Sequence, residues 1–293
     1  MNFFSIIVPV YNQEKQIEEL IKSLLAQNYP KDSFEVIIVN NGSNDNSEFL
    51  IKKYNVKYVF EQKPSSYAAR NAGAKIAKGN VFAFIDGDMH ADNNWLSSVN
   101  KALLKYDIVG GKIINKDSSR KYLTYYDSLL VNPKRESNLI KKQRICGGNF
   151  FIFSSVYNNL GGFDSNLISG GDTLLSIHAI KSNFKIGYSL DSIAYHPVDS
   201  FSKRIKRNMR LAFGSIEKNK TENQKITKKS KISNVIKNIK EDFTVLKESL
   251  REKDITRFEF IILKALVIIL KFFEYLAILF SLVFLKSKHV SRM

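Results

Sequence analysis

The sequence predicts an α/β protein with a twisted, mostly parallel central sheet flanked by helices on both faces. Short apolar runs of strand length alternate with helical stripes through the first hundred residues, which is typical of parallel βαβ units. Polar clusters follow the first, second and fourth runs. The 293 residues are 44% hydrophobic and 12% aromatic, enough to fill a core.

Four runs are predicted to be buried strands, because each is short and lacks alternating polar residues. They are FFSIIVPV (3–10), FEVIIV (34–39), VKYVF (56–60) and VFAFI (81–85). The predicted helices are QEKQIEELIKSLLAQ (13–27), SEFLIKKY (47–54), SYAARNAGAKIAK (66–78) and NWLSSVNKALLKY (94–106). The first helix carries an apolar stripe that begins at Ile17 and ends at Leu25.

The three polar clusters are PVYN (9–12), NNGSNDNS (40–47) and DGD (86–88). Ligands bind beyond the carboxyl ends of parallel strands, so we expect these clusters to form one nucleotide-type site. The first turn matches neither the G-x-G-x-x-G pattern of dinucleotide sites nor the P-loop. Hydride transfer and ATP hydrolysis are therefore disfavoured.

The formal net charge of +17 requires a partner, because so much unbalanced charge repels itself. The candidates are nucleic acid, anionic lipid headgroups or phosphate-bearing substrates. The single cysteine, Cys146, excludes an internal disulfide and favours a reducing compartment. The first residues lack a basic leader and break at Pro9, which indicates a strand and a cytoplasmic catalytic part.

Four stretches in order resemble the family 2 glycosyltransferases of the GT-A fold. They are FSIIVPVYN, VIIVNNGSNDNS, ARNAGAKIAKGNVFAFIDGD and GGNFFIFSSVYNNLGGFDSNLISGGD, within the first 200 residues. The resemblance implies a nucleotide-diphospho-sugar donor of the UDP or GDP type and a Mn²⁺ or Mg²⁺ cofactor. The acceptor it implies is a lipid-linked or cell-surface glycan, as in polysaccharide biosynthesis.

Asp86 and Asp88 match the D-x-D element of that family. By analogy Asp88 is the direct metal ligand, and Asp86 lies nearer the ribose and a metal-bound water. Strand alternation is expected to point both carboxylates to one side. His196 is a further candidate for a metal ligand or a phosphate contact, and a structural histidine is the alternative. For the D-x-D pair the alternative is a solvated turn.

On the donor side, Asn40 and Asn41 stand where the family has an acidic residue that contacts the base. An asparagine carbonyl can accept a base N–H, and its amide can donate to a base carbonyl, although the segment is also typical of an Asx turn. Pro9 and Tyr11 of the first turn are further donor contacts. Arg70 offers a planar fork for the diphosphate, with a surface salt bridge as its alternative.

On the acceptor side, SGGDTLLSIHAIK resembles the catalytic-base element, with Gly171 in place of a glutamate and Asp172 in the aspartate position. An inverting transfer needs one carboxylate to take the acceptor hydroxyl proton, and Asp172 is the candidate. A plain N-cap aspartate is the alternative. Asn149, Phe163 and Asp164 are the predicted acceptor contacts.

The predicted division is a catalytic domain at 1–200, a basic helical region at 201–257 and an apolar tail at 258–293. The polar residues of the tail, Glu259, Lys264, Lys271 and Glu274, share one sector of a helix. We expect an interfacial or re-entrant segment with basic residues facing anionic headgroups, at the cytoplasmic face of the membrane. A single span and a buried helix of an oligomer are alternatives.

These features favour a metal-dependent, inverting glycosyltransferase. One alternative is a polyprenol-phosphate sugar synthase of the same fold, whose acceptor is already an anion and needs no base. A catalytically inactive membrane scaffold is another. A nucleic-acid-binding protein is disfavoured, because few aromatic residues interleave with the basic stretch.

Overall fold

The computed structural model describes residues 1–117, 119–167, 169–207, 228–252 and 254–283. The chain divides into two compact units. The first unit comprises residues 1–114, 135–166 and 171–197, and the second comprises residues 115–134, 167–170 and 198–293. The second unit thus takes in segments that lie inside the predicted catalytic domain, and the predicted boundaries at 200 and 257 stay predictions.

An eight-stranded mixed sheet runs through the first unit in the order β3-β2-β1-β4-β7-β6-β8-β5. The strands are β1 (Phe4–Val10), β2 (Phe34–Asn40), β3 (Lys57–Phe60), β4 (Val81–Ile85), β5 (His90–Ala91), β6 (Ile108–Asn115), β7 (Asn149–Phe153) and β8 (Ile186–His196). The four predicted strands are therefore confirmed to within one residue or two.

Only half of the sheet is parallel. β1 pairs in parallel with β2 and β4, and β2 pairs in parallel with β3. β7 is antiparallel to both β4 and β6, and β5 is antiparallel to β8. The prediction of a mostly parallel sheet is thus wrong beyond β4. The connection from β6 to β7 is long and contains helices, yet the two strands are antiparallel. The direction of pairing therefore depends on tertiary packing, which local sequence patterns do not reveal.

Short helices connect these strands along the chain. They are α1 (Ile17–Leu25), α2 (Ser47–Ile51), α3 (Ser66–Ile76), α4 (Trp95–Ala102), α5 (Lys121–Tyr126), α6 (Asn132–Lys141), α7 (Ser154–Asn159) and α8 (Gly171–Lys181). In α3, a Cβ at Gly73 would lie 2.5 Å from Ile7 Cγ2 and 3.0 Å from Val39 Cγ2. Glycine at this position therefore lets α3 pack closely on the sheet.

α1 begins four residues later than predicted because the chain first forms a loop. Asn12 has a φ of 53°, in the left-handed region that asparagine tolerates better than most residues. The N–H groups of Gln13 and Glu14 then donate to Ser47 Oγ at 2.8 Å and Asp45 Oδ2 at 3.0 Å. Those bonds take the place of the first helical turn.

Asn149 occupies the centre of the first unit. The side chain is fully buried, and its Oδ1 accepts from Trp95 Nε1 at 2.8 Å. Its Nδ2 donates to the carbonyl oxygens of Lys112 and Ser192 at 2.9 and 3.0 Å. Asn149 therefore connects β7 with α4, β6 and β8, and the buried amide has no exposed surface for the acceptor contact predicted from the sequence.

The second unit is helical. Besides α5 it contains a π-helical turn (Asp127–Val131), a helical segment at residues 201–207, a basic helix (Lys228–Arg251) and an apolar helix (Arg257–Val283). Its core consists of Tyr126, Leu130, Leu246, Ile255, Leu263, Val267 and Leu270. Buried Arg204 pairs with buried Asp127, Nη2 to Oδ2 at 2.6 Å.

The polar residues of the apolar helix contact protein instead of water. Glu259 pairs with Lys121 at 3.2 Å, and Lys264 Nζ lies 5.3 Å from the ring centroid of Phe243 in the basic helix. The polar sector predicted for an interfacial helix thus contacts protein at these two positions, and the interfacial placement stays a prediction. The packing of α5 and the basic helix against the apolar helix draws its polar side chains inward, which single-helix periodicity does not reveal.

Within the described residues, no helix is at once long enough and apolar enough to cross a bilayer. Residues 208–227 of the predicted basic region and 284–293 of the predicted tail lie outside the described part of the chain.

Candidate active site

The turns that follow β1 and β2 bond to each other at the carboxyl edge of the sheet. Asn12 N donates to Ser43 Oγ at 3.0 Å, and Asn44 N donates to Asn12 Oδ1 at 2.9 Å. Asn41 N donates to Val10 O at 2.8 Å. The prediction that the first two polar clusters meet at one edge is confirmed.

The amides of Asn40 and Asn41 are committed to the protein. Asn40 Nδ2 donates to Glu48 Oε2 at 3.3 Å and to Tyr58 Oη at 3.1 Å. Asn41 Nδ2 donates to two backbone carbonyl oxygens after β3, at 3.0 and 2.6 Å. Each amide has two N–H groups, so neither has one left for a base carbonyl. Asn40 Oδ1 accepts from Ser43 N at 2.9 Å, as an Asx turn requires.

The first and third polar clusters approach each other closely at Pro9 and Gly87. Pro9 is buried within β1, and a Cβ at Gly87 would lie 2.9 Å from Pro9 O. Glycine is therefore required between the two aspartates, because a side chain would press against this carbonyl. Tyr11, 37% exposed, lies just past β1. The donor contacts expected of Pro9 and Tyr11 stay predictions.

Asp86 and Asp88 lie in a turn, not on a strand. β4 ends at Ile85, and Met89 N donates back to Asp86 O at 3.1 Å. The two carboxylates consequently contact different partners: Asp86 faces Arg70, and Asp88 faces His196. The expectation that strand alternation points them to one side is wrong, because the strand stops before the first aspartate.

Arg70 holds Asp86 in place. Arg70 is 4% exposed, and its Nη2 donates both to Asp86 Oδ1 and to Gly147 O, the latter at 3.1 Å. The predicted surface salt bridge is thus a pair with one buried partner. Nη2 of the guanidinium is thus used by protein groups, and the contact of Arg70 with a diphosphate stays a prediction.

Two aromatic rings enclose the Arg70 guanidinium. The Tyr67 and Phe163 ring centroids lie 5.9 and 5.8 Å from its central carbon, and the two rings stack with centroids 5.3 Å apart. Asn71 fixes the main chain of Phe163, donating to its carbonyl oxygen at 2.8 Å and accepting from its N–H at 3.0 Å. The two rings orient the Arg70 guanidinium, which in turn orients the Asp86 carboxylate.

Asp88 and His196 form a pair that suits a divalent cation. His196 Nε2 lies 3.5 Å from Asp88 Oδ2, and His196 Nδ1 lies 2.5 Å from Pro197 O. A carbonyl oxygen only accepts, so Nδ1 donates to Pro197 O, and Nε2 is the ring nitrogen that faces the carboxylate. A hard oxygen beside an imidazole nitrogen fits Mn²⁺.

Arg70 engages one oxygen of the Asp86 carboxylate, Oδ1, and the metal role predicted for Asp86 stays a prediction. Among the described residues, no group of three or more histidine, cysteine, aspartate or glutamate side chains converges in a way that could hold a metal. Two protein ligands are compatible with a catalytic Mg²⁺ or Mn²⁺ that takes its remaining ligands from phosphate and water.

Asp172 is the second residue of α8 and lies beside the same glycine that contacts Arg70. Its Oδ2 accepts from Gly147 N at 3.0 Å, and its Oδ1 accepts from Thr173 N at 2.8 Å. Asp172 is therefore more than the simple N-cap residue considered as an alternative, because its Oδ2 bonds to Gly147, which lies outside α8. Through its N–H and its carbonyl, Gly147 joins Asp172 to the Arg70–Asp86 pair.

The predicted acceptor-side residues differ in exposure. Phe163 is 4% exposed, whereas Asp164 is exposed and caps the next turn through a 2.9 Å bond from Asn166 N. Both border a cavity of about 170 Å³ at the start of α8. Its lining includes Leu160, Phe163, Asp164, Gly171, Leu175 and His178. Their contact with an acceptor stays a prediction.

Sequence reasoning missed the glycines that shape the site. A Cβ at Gly148 would lie 2.6 Å from Met89 Cε and 2.7 Å from Asp86 Oδ2, so only glycine leaves room for the Asp86 carboxylate. The glycine pair at 147–148 was the available signal. Next to it, burial and the nearby Asp172 charge raise the pKa of the Cys146 thiol to about 11, which leaves the thiol protonated at neutral pH.

The fold and the site define a glycosyltransferase. The family model for glycosyl transferase family 2 matches residues 5–160, and the chain belongs to this family. Glycosyltransferase AglE of Haloferax volcanii is 29% identical over 224 residues, 73% of each chain. A glucuronosyltransferase of Methanococcus voltae, named for a dolichyl N-acetyl-α-D-glucosaminyl phosphate, is 27% identical over 71% of each.

Among solved structures, the mannosyltransferase PcManGT from Pyrobaculum calidifontis, in complex with GDP-Man and Mn²⁺, aligns with a TM-score of 0.64. The match covers 98% of this chain and 88% of that one at 18% sequence identity. A likeness at this identity supports the fold.

The packing of Gly148 against Asp86 gives a test of the site. In the Gly148→Ala variant the new methyl group would displace the Asp86 carboxylate, and we expect the affinity for a nucleotide-sugar donor to fall about tenfold, as misplaced site groups do. Gly147→Ala is the matched control, because a Cβ there meets nothing closer than 3.6 Å. Isothermal titration calorimetry on both variants measures the difference. Equal donor affinity in the two would show that the position of Asp86 is unimportant for binding.

Proposed function

We propose that the protein is a metal-dependent, inverting glycosyltransferase that moves a sugar from a nucleotide-diphospho-sugar to a lipid-linked or cell-surface glycan. The observation that carries this proposal is the double role of Gly147. Its N–H bonds the carboxylate of Asp172, and its carbonyl accepts from the arginine that holds Asp86. One residue of main chain thus keeps a candidate base beside a candidate donor-binding carboxylate.

Asp88 and His196 are the residues that would hold the cation. Mn²⁺ or Mg²⁺ bound there would neutralise the charge that develops on the departing diphosphate. His196 Nδ1 donates to Pro197 O, which orients the ring so that Nε2 would be available to the cation. The mannosyltransferase of similar fold was solved with Mn²⁺ beside GDP-Man, which agrees with the proposal.

Asp172 would act as the general base. The acceptor hydroxyl oxygen forms a bond to the anomeric carbon as the bond from that carbon to the diphosphate oxygen breaks. The electron pair leaves with the diphosphate, and the hydroxyl proton passes to Asp172. Attack opposite the leaving group inverts the anomeric centre. The N–H donors of Gly147 and Thr173 hold the two carboxylate oxygens in a fixed orientation for this transfer.

The proposed donor is of the UDP or GDP type, and the proposed acceptor is a lipid-linked or surface glycan. The relative from Methanococcus voltae carries a dolichyl-linked sugar phosphate in its name, which supports a lipid-linked acceptor. The N–H groups of Asn40 and Asn41 are bonded within the protein, so any contact of these residues with the base would be made by a carbonyl oxygen.

The apolar helix would dock the second unit on an anionic membrane surface, at the cytoplasmic face. Phe258, Ile261, Ile268 and Phe272 are 66, 65, 54 and 56% exposed, and their spacing places them on one helical face. The opposite face is buried in the core of the unit. Exposed lysine and arginine side chains on the basic helix, at Lys237, Lys240, Lys247 and Arg251, would complement anionic headgroups.

The role of Asp172 can be tested by removing its charge. In Asp172→Asn we expect kcat for a nucleotide sugar with Mn²⁺ to fall by about 10²- to 10⁴-fold, the usual contribution of a general base. Donor affinity should be retained. Asp191→Asn, an exposed aspartate on β8, is the matched control and should keep the wild-type rate. A panel of UDP- and GDP-sugars, scored for binding and for turnover, identifies the donor first.

Near-full activity of Asp172→Asn would contradict the assignment of the base. That outcome would favour the polyprenol-phosphate sugar synthase, whose acceptor oxygen is already ionised.

Membrane docking can be tested by flotation with phosphatidylglycerol-containing and pure phosphatidylcholine vesicles. We expect the full-length protein to float with the anionic vesicles, and Ile261→Ser/Ile268→Ser to lower the partition coefficient at least about tenfold, because each isoleucine loses apolar burial in the bilayer. Phe49→Ser/Leu104→Ser is the control, since those side chains are 67 and 84% exposed in the first unit. Equal flotation of the two double variants would rule out docking through the apolar helix.

A further inference from the structure

Gly171, the first residue of α8, has no room for a side chain. A Cβ there would lie 2.8, 2.9 and 3.1 Å from three ring carbons of Tyr67, closer than real Cβ contacts allow. The ring of Tyr67 therefore fills the space over the start of the helix that carries Asp172. Nothing in the motif around Asp172 indicates this, because Tyr67 lies more than a hundred residues earlier, on α3.

The Tyr67 hydroxyl also bonds the first turn of α8. Tyr67 Oη accepts from Gly171 N at 2.9 Å. The first N–H groups of a helix have no partner within the helix and need one from outside. Gly171 N is one of these groups, and it directly precedes Asp172. A side chain of α3 therefore fixes the backbone from which the candidate base projects.

Tyr67 is itself held in place by its neighbours. It is 8% exposed, stacks on Phe163 at an interplanar angle of 25° and lies under the Arg70 guanidinium. Arg70 in turn binds Asp86. The Tyr67 ring thus contacts the Arg70 guanidinium, which orients Asp86, and the Tyr67 hydroxyl contacts Gly171 at the start of the helix that carries Asp172. These two contacts fix the position of the side chain.

We propose that Tyr67 is a positioning residue for the transfer reaction: its hydroxyl fixes the start of α8, so that Asp172 keeps the orientation in which it takes the acceptor proton. This inference rests on the proposed role of Asp172 as the base. Tyr67 acts through Asp172 and does not exchange protons with the substrate. Its effect belongs to the rate of the chemical step and not to the binding of the donor.

A double-mutant cycle tests this with the full-length protein. The variants are Tyr67→Phe, Asp172→Asn and their combination, and the probes are GDP-mannose and UDP-N-acetylglucosamine with Mn²⁺. The slow hydrolysis of whichever donor binds is the activity, because water then attacks the anomeric carbon and its proton goes to the same base. Affinity is measured by calorimetry and stability by thermal unfolding.

We expect Tyr67→Phe to lower kcat about tenfold in the otherwise wild-type protein, with donor Kd within about twofold of the wild type. In the Asp172→Asn background the same change should have no further effect, because two residues that act as a unit are not additive. Tyr29→Phe is the control for the loss of a buried hydroxyl bond. Tyr29 is also 8% exposed, and its Oη donates to Asn2 O at 2.8 Å. It should lower Tm by as much as Tyr67→Phe and leave kcat unchanged.

Two results would overturn the inference while leaving the base assignment intact. In the first, Tyr67→Phe keeps the wild-type kcat. In the second, it lowers the residual rate of Asp172→Asn by the same factor as it lowers the wild-type rate, which would mean that it acts independently of Asp172. If Asp172→Asn itself hydrolyses the donor at the wild-type rate, the base assignment fails, and the role of Tyr67 fails with it.

Discussion

The site depends on the contact between Arg70 and Asp86 beneath the carboxyl edge of the sheet. A buried arginine is costly unless its charge is paired and its N–H groups are bonded. Here Asp86 pairs with the charge, Gly147 O and Ser66 O accept from the two terminal nitrogens, and two aromatic rings lie against the guanidinium. Arg70 Nε is buried without a hydrogen-bond partner among the described residues. The same Arg70–Asp86 interaction holds the turn after β4 and the segment at Gly147 that leads into β7. Because Gly147 N also bonds Asp172, one cation on α3 organises carboxylates from two distant parts of the chain.

The parallel half of the fold and the location of the site could be predicted from the sequence, since continuous apolar runs and the polar residues that end them are local signals. The divergence of Asp86 and Asp88 could not, because it depends on where β4 stops and on a partner sixteen residues away in sequence. Asn149 illustrates the same limit. Its motif position indicated an acceptor contact, whereas its three hydrogen bonds to Trp95, Lys112 and Ser192 give it a structural role.

The two units have different proposed roles, because they present different kinds of side chain. The first unit brings together the carboxylates, the imidazole and the aromatic rings that are proposed to surround a donor. The second unit exposes apolar side chains on one face of the apolar helix, whereas Glu259 and Lys264 of that helix contact neighbouring helices. A helix that faces water usually has the opposite arrangement, with its polar side chains exposed. A surface of this kind is expected to contact something less polar than water, and an anionic bilayer also accounts for the positive charge of the chain.

The central claim is that Asp88 and His196 share one divalent cation when a nucleoside diphosphate is bound. Titration of Mn²⁺ into the protein in the presence of GDP or UDP, followed by electron paramagnetic resonance of the free ion, tests this without reference to activity. We expect one bound Mn²⁺ per chain and, in His196→Ala, an affinity at least about tenfold weaker. His90→Ala, a histidine that pairs with Glu19 instead, should bind as the wild type does. Equal Mn²⁺ affinity in His196→Ala and the wild type would contradict the claim.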